Sequence, residues 1–198
     1  MSELSPDLKT IYAVLRKTAA VPGSALFAID IATGAKKVLY DLPPGNQAAG
    51  LALSPDGTTA ALQTWVESGS NVAPGKARLT LVGTDGSGSR SLYGPYATPT
   101  VWSNFVWTPD SQSILFIVSS QPGSWRLMRI AASGGEAVFD GLESSTAVTD
   151  KSLPALFLNV LSLTVSPDGS RVAFGSYVRP SQELWALENV MSLLNPVR

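Results

Sequence analysis

Short runs with apolar residues at alternate positions recur along the whole chain, each bounded by Pro, Gly, Asp or Ser. A period of two marks β-strands with one face turned to a core, and the turn residues fix where each strand stops. No stretch sustains the 3.6-residue period of an amphipathic helix. The strongest runs are Thr10–Arg16 (TIYAVLR), Thr59–Trp65 (TAALQTW), Ser113–Ser119 (SILFIVS) and Arg171–Tyr177 (RVAFGSY). Each follows one kind of tetrapeptide: Ser5-Pro6-Asp7-Leu8, Ser54-Pro55-Asp56-Gly57, Thr108-Pro109-Asp110-Ser111 and Ser166-Pro167-Asp168-Gly169. Proline presets φ for a tight turn, aspartate bonds its own backbone, and glycine accepts positive φ.

These turns make the chain a repeat. Counted from them, Ile11, Ala60, Ile114 and Val172 share one column, and Ala13, Leu62, Phe116 and Phe174 share another two residues on. That spacing places both columns on one sheet face. Shorter apolar runs precede three of the turns, at Gly50–Leu53, Phe105–Trp107 and Leu163–Val165. A third strand follows in each repeat (Ala25–Asp30, Arg78–Gly83, Arg126–Ala131, Glu183–Glu188), and in three a fourth (Lys37–Asp41, Arg90–Tyr93, Glu136–Phe139). Four antiparallel strands per repeat predict an all-β β-propeller of about four blades, at roughly 1–41, 50–93, 104–140 and 160–198 of a single array. Met1–Leu4 is short for a full inner strand, and the last outer strand has only Met191–Leu194 to supply it. The expectation is therefore a segment of a six- to eight-bladed parent.

The turn, the Ile/Val-Ala-Phe strand and the Leu-Trp or Leu-Phe strand running into Asp-Gly or Ser-Gly-Gly resemble the TolB-type, WD40-like (PD40) propeller repeat. Ser166–Glu188 is the nearest copy, and the resemblance extends over nearly the whole chain. It implies a non-catalytic binding or scaffold module with protein or peptide partners, in a periplasmic or extracytoplasmic setting. The same repeat occurs in propellers that gate serine peptidases and in sensor modules of kinases or regulators, and these are the alternatives.

Composition narrows the chemistry. Histidine and cysteine are both absent, which removes Ser-His-Asp and Cys-His pairs, histidine bases, thiolate nucleophiles and His- or Cys-ligated metals. No catalytic residue, cofactor or metal site is therefore expected, and no G-x-S-x-G elbow occurs. Asp85-Gly86-Ser87-Gly88-Ser89 lacks the alternating carboxylates of a calcium loop and reads as a turn. A net charge of −1 without a basic run argues against nucleic acid. No apolar run approaches the length of a spanning helix, and the first residues lack the order of a signal peptide.

With blade strands lettered A to D outward, the A–B and C–D turns are short. The long connections lie at the other end: Lys17–Gly23 and Val66–Lys76 (B–C), with Gly94–Asn104 and Gly141–Asn159 (D–A). Long loops on a rigid scaffold are where binding residues gather. The candidate partner-binding residues are accordingly Trp65, Tyr96, Trp102, Trp125, Arg126, Tyr177 and Arg179, against the competing role of packing between blades. An open array also leaves terminal blades uncovered, so self-association is expected through ends carrying Ile11, Ala13, Phe174 and Trp185.

Overall fold

The computed structural model describes residues 1–16, 23–66, 76–97, 103–121, 124–145, 160–178 and 181–188. Among them are fifteen strands and no helix. They fall in two compact units, Met1–Thr98 and Pro99–Arg198. In the first, β1 (Ser2–Leu4), β2 (Thr10–Arg16), β3 (Ser24–Asp30) and β4 (Lys36–Asp41) pair antiparallel in chain order as sheet 1. Sheet 2 repeats the order with β5 (Asn46–Leu53), β6 (Thr59–Val66), β7 (Lys76–Gly83) and β8 (Ser89–Ala97). In the second unit, β9 (Ser103–Trp107), β10 (Ser113–Gln121), β11 (Ser124–Ala131) and β12 (Val138–Ser145) form sheet 3. Sheet 4 holds β13 (Val160–Val165), β14 (Arg171–Val178) and β15 (Ser181–Glu188) among the described residues, and Met191–Leu194 lies outside them.

The alternation that marked the strands also sets their packing. Ala60, Ile114 and Val172 of the first column are fully buried, as is Leu62 of the second, while Phe116 is buried to within a percent. Within the first unit, Tyr12 and Leu26 of sheet 1 meet Ala60 and Val82 of sheet 2. Val14, Ala28, Leu39, Tyr40, Leu51 and Leu53 pack around them. One sheet lays its Tyr12 face on the next sheet's Ala60 face.

Among the boundaries that differ from the sequence pattern are two strand starts. Met1–Leu4 does supply an inner strand, three residues long, because Leu4, Glu3 and Ser2 pair with Ile11, Tyr12 and Ala13. The fourth strand of sheet 3 starts at Val138 rather than Glu136, after a turn in which Gly134 and Gly135 take φ of 106° and 110°.

The Ser/Thr-Pro-Asp turns share one hydrogen-bond network. In sheet 2, Ser54 Oγ donates to Asp56 Oδ1 (2.6 Å) and accepts from Thr59 N–H (3.0 Å), while Thr58 N–H donates to Asp56 Oδ1 (2.9 Å). Ser5 and Asp7, Thr108 and Asp110, and Ser166 and Asp168 repeat it. The aspartates thus close turns. Hydrogen bonds from Ser166 and Ser170 hold the Asp168 carboxyl at about 2, and Asp7 and Asp110 are lowered by the same kind of partners. A carboxyl lowered in the folded state stabilises the fold above its unfolded value of 3.8 and loses that contribution as pH falls towards about 2. The thermal midpoint is therefore expected to drop between about pH 4 and pH 2, and to drop less in Asp168→Asn. Identical pH profiles for the two proteins would refute this reading.

Candidate functional site

The short turns meet at one end of each sheet. Ile31 N–H donates to Lys9 O, Thr84 N–H to Thr58 O and Ala132 N–H to Gln112 O, tying each C–D turn to its A–B turn at 2.7–3.0 Å. The Asp85 carboxylate accepts from Ser87 N–H (2.7 Å), and Lys37 Nζ donates to Asp85 O (2.6 Å), so this segment is a turn braced by the neighbouring sheet. Lys37 and the Ser87 hydrogen bonds hold the Asp85 carboxyl below its ordinary value, the latter most strongly.

The opposite end carries the candidate binding residues, and sheet 2 organises two of them. Trp65 on β6 lies between Gln47 on β5 and Ala77 on β7, and Ala77 lies opposite Tyr96 on β8. Directly opposed residues share a sheet face, so Gln47, Trp65, Ala77 and Tyr96 form one row across that face. Trp65 is half-buried, Gln47 is exposed and Ala77 is fully buried. One row inward stand Gly50, Gln63, Leu79 and Tyr93. Gln63 is 2% exposed, and its Nε2 has no hydrogen-bond partner. A buried donor left unpaired costs about 1–3 kcal/mol, so it stands out in an otherwise satisfied strand.

Tyr93 and Tyr96 are three residues apart, which in a regular strand places them on opposite faces. The pairing shifts between Leu79–Tyr93 and Ala77–Tyr96, and Gly94 within the shift has φ of 94°. That bulge adds one residue and brings positions 93 and 96 onto the same face. It also lets β8 run on to Ala97, so Tyr96 belongs to a strand and not to the connecting loop expected from the sequence. The strand β12 likewise reaches Ser145, which shortens the Gly141–Asn159 connection.

The remaining candidates do not all converge. Trp125 lies opposite Ser144 and Arg126 opposite Glu143 on β12. As consecutive residues of β11, positions 125 and 126 belong to different cross-strand rows of sheet 3. Arg126 is exposed. Tyr177 pairs with Gln182 at the end of β14 nearest the β14–β15 connection. Trp102 and Arg179 lie outside the described residues. Gln47, Gln63, Ala77 and Tyr93 were missed from sequence; the Gly94-Pro95 pair was the available signal for the two tyrosines, since glycine and proline within a strand mark bulges. Among the described residues, no three Asp, Glu, His or Cys gather as a metal site.

No family model matches the chain, nor does any curated protein. Solved structures do. TolB from Acinetobacter baumannii aligns over 95% of this chain and 40% of its own at 18% identity, with a TM-score of 0.60. An oligogalacturonate lyase in complex with manganese aligns over 97% of this chain and 50% of its own at 16% identity and a TM-score of 0.66. A prolyl endopeptidase aligns over 95% and 27% at 17% and 0.62. The chain thus spans half or less of the length of these proteins. The likeness is one of fold: this is an all-β chain built of β-propeller sheets, with TolB among its structural neighbours.

Proposed function

We propose that the chain is a non-catalytic binding module that engages a protein or peptide through the long-loop end of its sheets. The row Gln47–Trp65–Ala77–Tyr96 carries this reading. It sets a half-exposed tryptophan and a tyrosine position on either side of a small residue, at the end from which the 67–75 and 98–102 connections leave. An aromatic anchor with a partly free face is the usual centre of a binding hot spot. The absence of histidine and cysteine from the whole sequence favours binding over hydrolysis by the common nucleophilic pairs. The likeness to a prolyl endopeptidase favours a second reading, the propeller portion of a serine peptidase whose catalytic domain lies elsewhere.

Panning a displayed random-peptide library against the immobilised chain tests the first reading. Selected peptides should bind wild type and lose at least about tenfold affinity to Trp65→Ala, roughly 1.4 kcal/mol, with the far-ultraviolet circular dichroism spectrum unchanged. They should also remain intact on mass spectrometry after incubation. Failure to select any peptide, equal binding by Trp65→Ala, or cleavage of the bound peptide would each overturn it.

A further inference from the structure

The repeat columns expose an asymmetry among the sheets. Ile11, Ala60, Ile114 and Val172 hold the same place in their repeats. The last three are fully buried, while Ile11 is partly exposed. In sheet 2 the face bearing Ala60 is covered by sheet 1, whose Tyr12 and Leu26 press on it. The corresponding face of sheet 1 lies on its far side. Its rows are Leu4–Ile11–Ile29–Lys36 and Ser2–Ala13–Phe27–Val38. Leu4 is 46% exposed and Val38 47%, while Ile11, Phe27 and Ile29 are half-buried. Ala13 is buried at 5% exposure, contrary to the expectation that it would be open. Its small side chain lies in the sheet between the larger Ile11 and Leu15 on one strand and Phe27 on the next.

The turn end of this face is apolar as well. Leu8 stands where sheet 2 has Gly57, and Ile31 N–H is bonded to Lys9 O beside it. Leu8 is 66% exposed and Ile31 48%. In sheet 2 the equivalent place is occupied: a Cβ on Gly57 would come within 3.0 Å of Pro6 of sheet 1. Among the described residues, this face thus carries exposed apolar side chains on its inner strand (Leu4), its outer strand (Val38) and its turn end (Leu8, Ile31), with Ala13 and Ala25 buried between them, whereas its counterpart on sheet 2 is packed on a propeller sheet.

We propose that this face of sheet 1 is an interaction surface for a second copy of the same chain. The occupant is argued from continuity. The established interface shows that this type of face takes another propeller sheet, and this polypeptide is a source of such four-stranded antiparallel sheets. Sheet-on-sheet burial of apolar side chains supplies the driving force, and Lys36 and Asp41 at the outer margin stay in solvent.

Size exclusion with light scattering on the 198-residue chain tests this across a wide concentration range. The expected result is a concentration-dependent shift from 20.8 kDa towards twice that mass. The double variant Leu4→Glu/Val38→Glu should remain at the monomer mass with an unchanged far-ultraviolet circular dichroism spectrum. Both positions are already half-exposed, so the variant is expected to fold. Val138→Glu, equally exposed on β12, should associate as wild type does. A wild-type chain that stays monomeric throughout overturns the proposal. So does an oligomer that survives the double variant, or one dissolved by Val138→Glu. Trp65→Ala should associate normally, which keeps this result separate from that of the peptide-binding test.

Discussion

Replacing Phe116 by alanine is expected to cost about 3–5 kcal/mol of folding stability, the largest effect of any single change considered. Phe116 is 1% exposed at the middle of β10, paired with Phe105 on β9 and Met128 on β11, with Ile114 and Leu115 fully buried beside it. Interiors are packed too tightly for neighbours to collapse into the space a benzyl group leaves, so the lost transfer energy and the cavity add. Against a typical total of about 5–15 kcal/mol, this brings the structure near its limit. Urea unfolding monitored by circular dichroism measures it through the midpoint. A loss below about 1 kcal/mol would show that β10 is not a core strand. Ile11→Ala, in the column of Ile114 but only partly buried, should cost distinctly less than Ile114→Ala.

The second large effect is expected at Gly57. Its φ is 74°, and an added Cβ would lie 3.0 Å from Pro6 Cδ and 3.2 Å from Cγ. The left-handed backbone alone costs an L-residue about 1–2 kcal/mol. Leu8 and Ser111 show that the turn accepts this, since they hold φ of 61° and 59° in the same place. At Gly57 the proline ring of the preceding turn adds a contact tighter than most carbon pairs show, and a ring gives way less readily than a flexible chain end could. Gly57→Ala should therefore lower stability by more than about 2 kcal/mol. The reciprocal change Leu8→Gly should raise it by up to about 1 kcal/mol, as strain is relieved against greater unfolded-state entropy. Equal and opposite effects at the two positions would mean that φ alone decides, and that Pro6 contributes nothing.

Both changes concern what repetition made legible. Period-two alternation and four Pro-Asp turns placed the central strands to within a residue or two; β2 coincides with Thr10–Arg16. Such features are local: a turn is set by four residues, and a strand face by every second one. Of the two columns, Ala13, Ala60, Leu62, Ile114, Phe116 and Val172 are buried, whereas Ile11 is partly exposed. The candidate aromatics were found by type and loop position. Which of them share a row was not, since that depends on strand pairing between residues distant in sequence and on a bulge at Gly94 that reverses the face of everything after it. The strands, the turns, the repeat and the chemistry that the missing histidines and cysteines rule out can all be read from the residues alone. Packing in three dimensions is what sets Trp65 and position 96 on either side of Ala77, buries Gln63 with an unpaired donor, and leaves Ile11 partly exposed where Ala60 is buried. Identical local patterns become buried or exposed according to whether a sheet lies across them, and no residue carries that information within its own repeat.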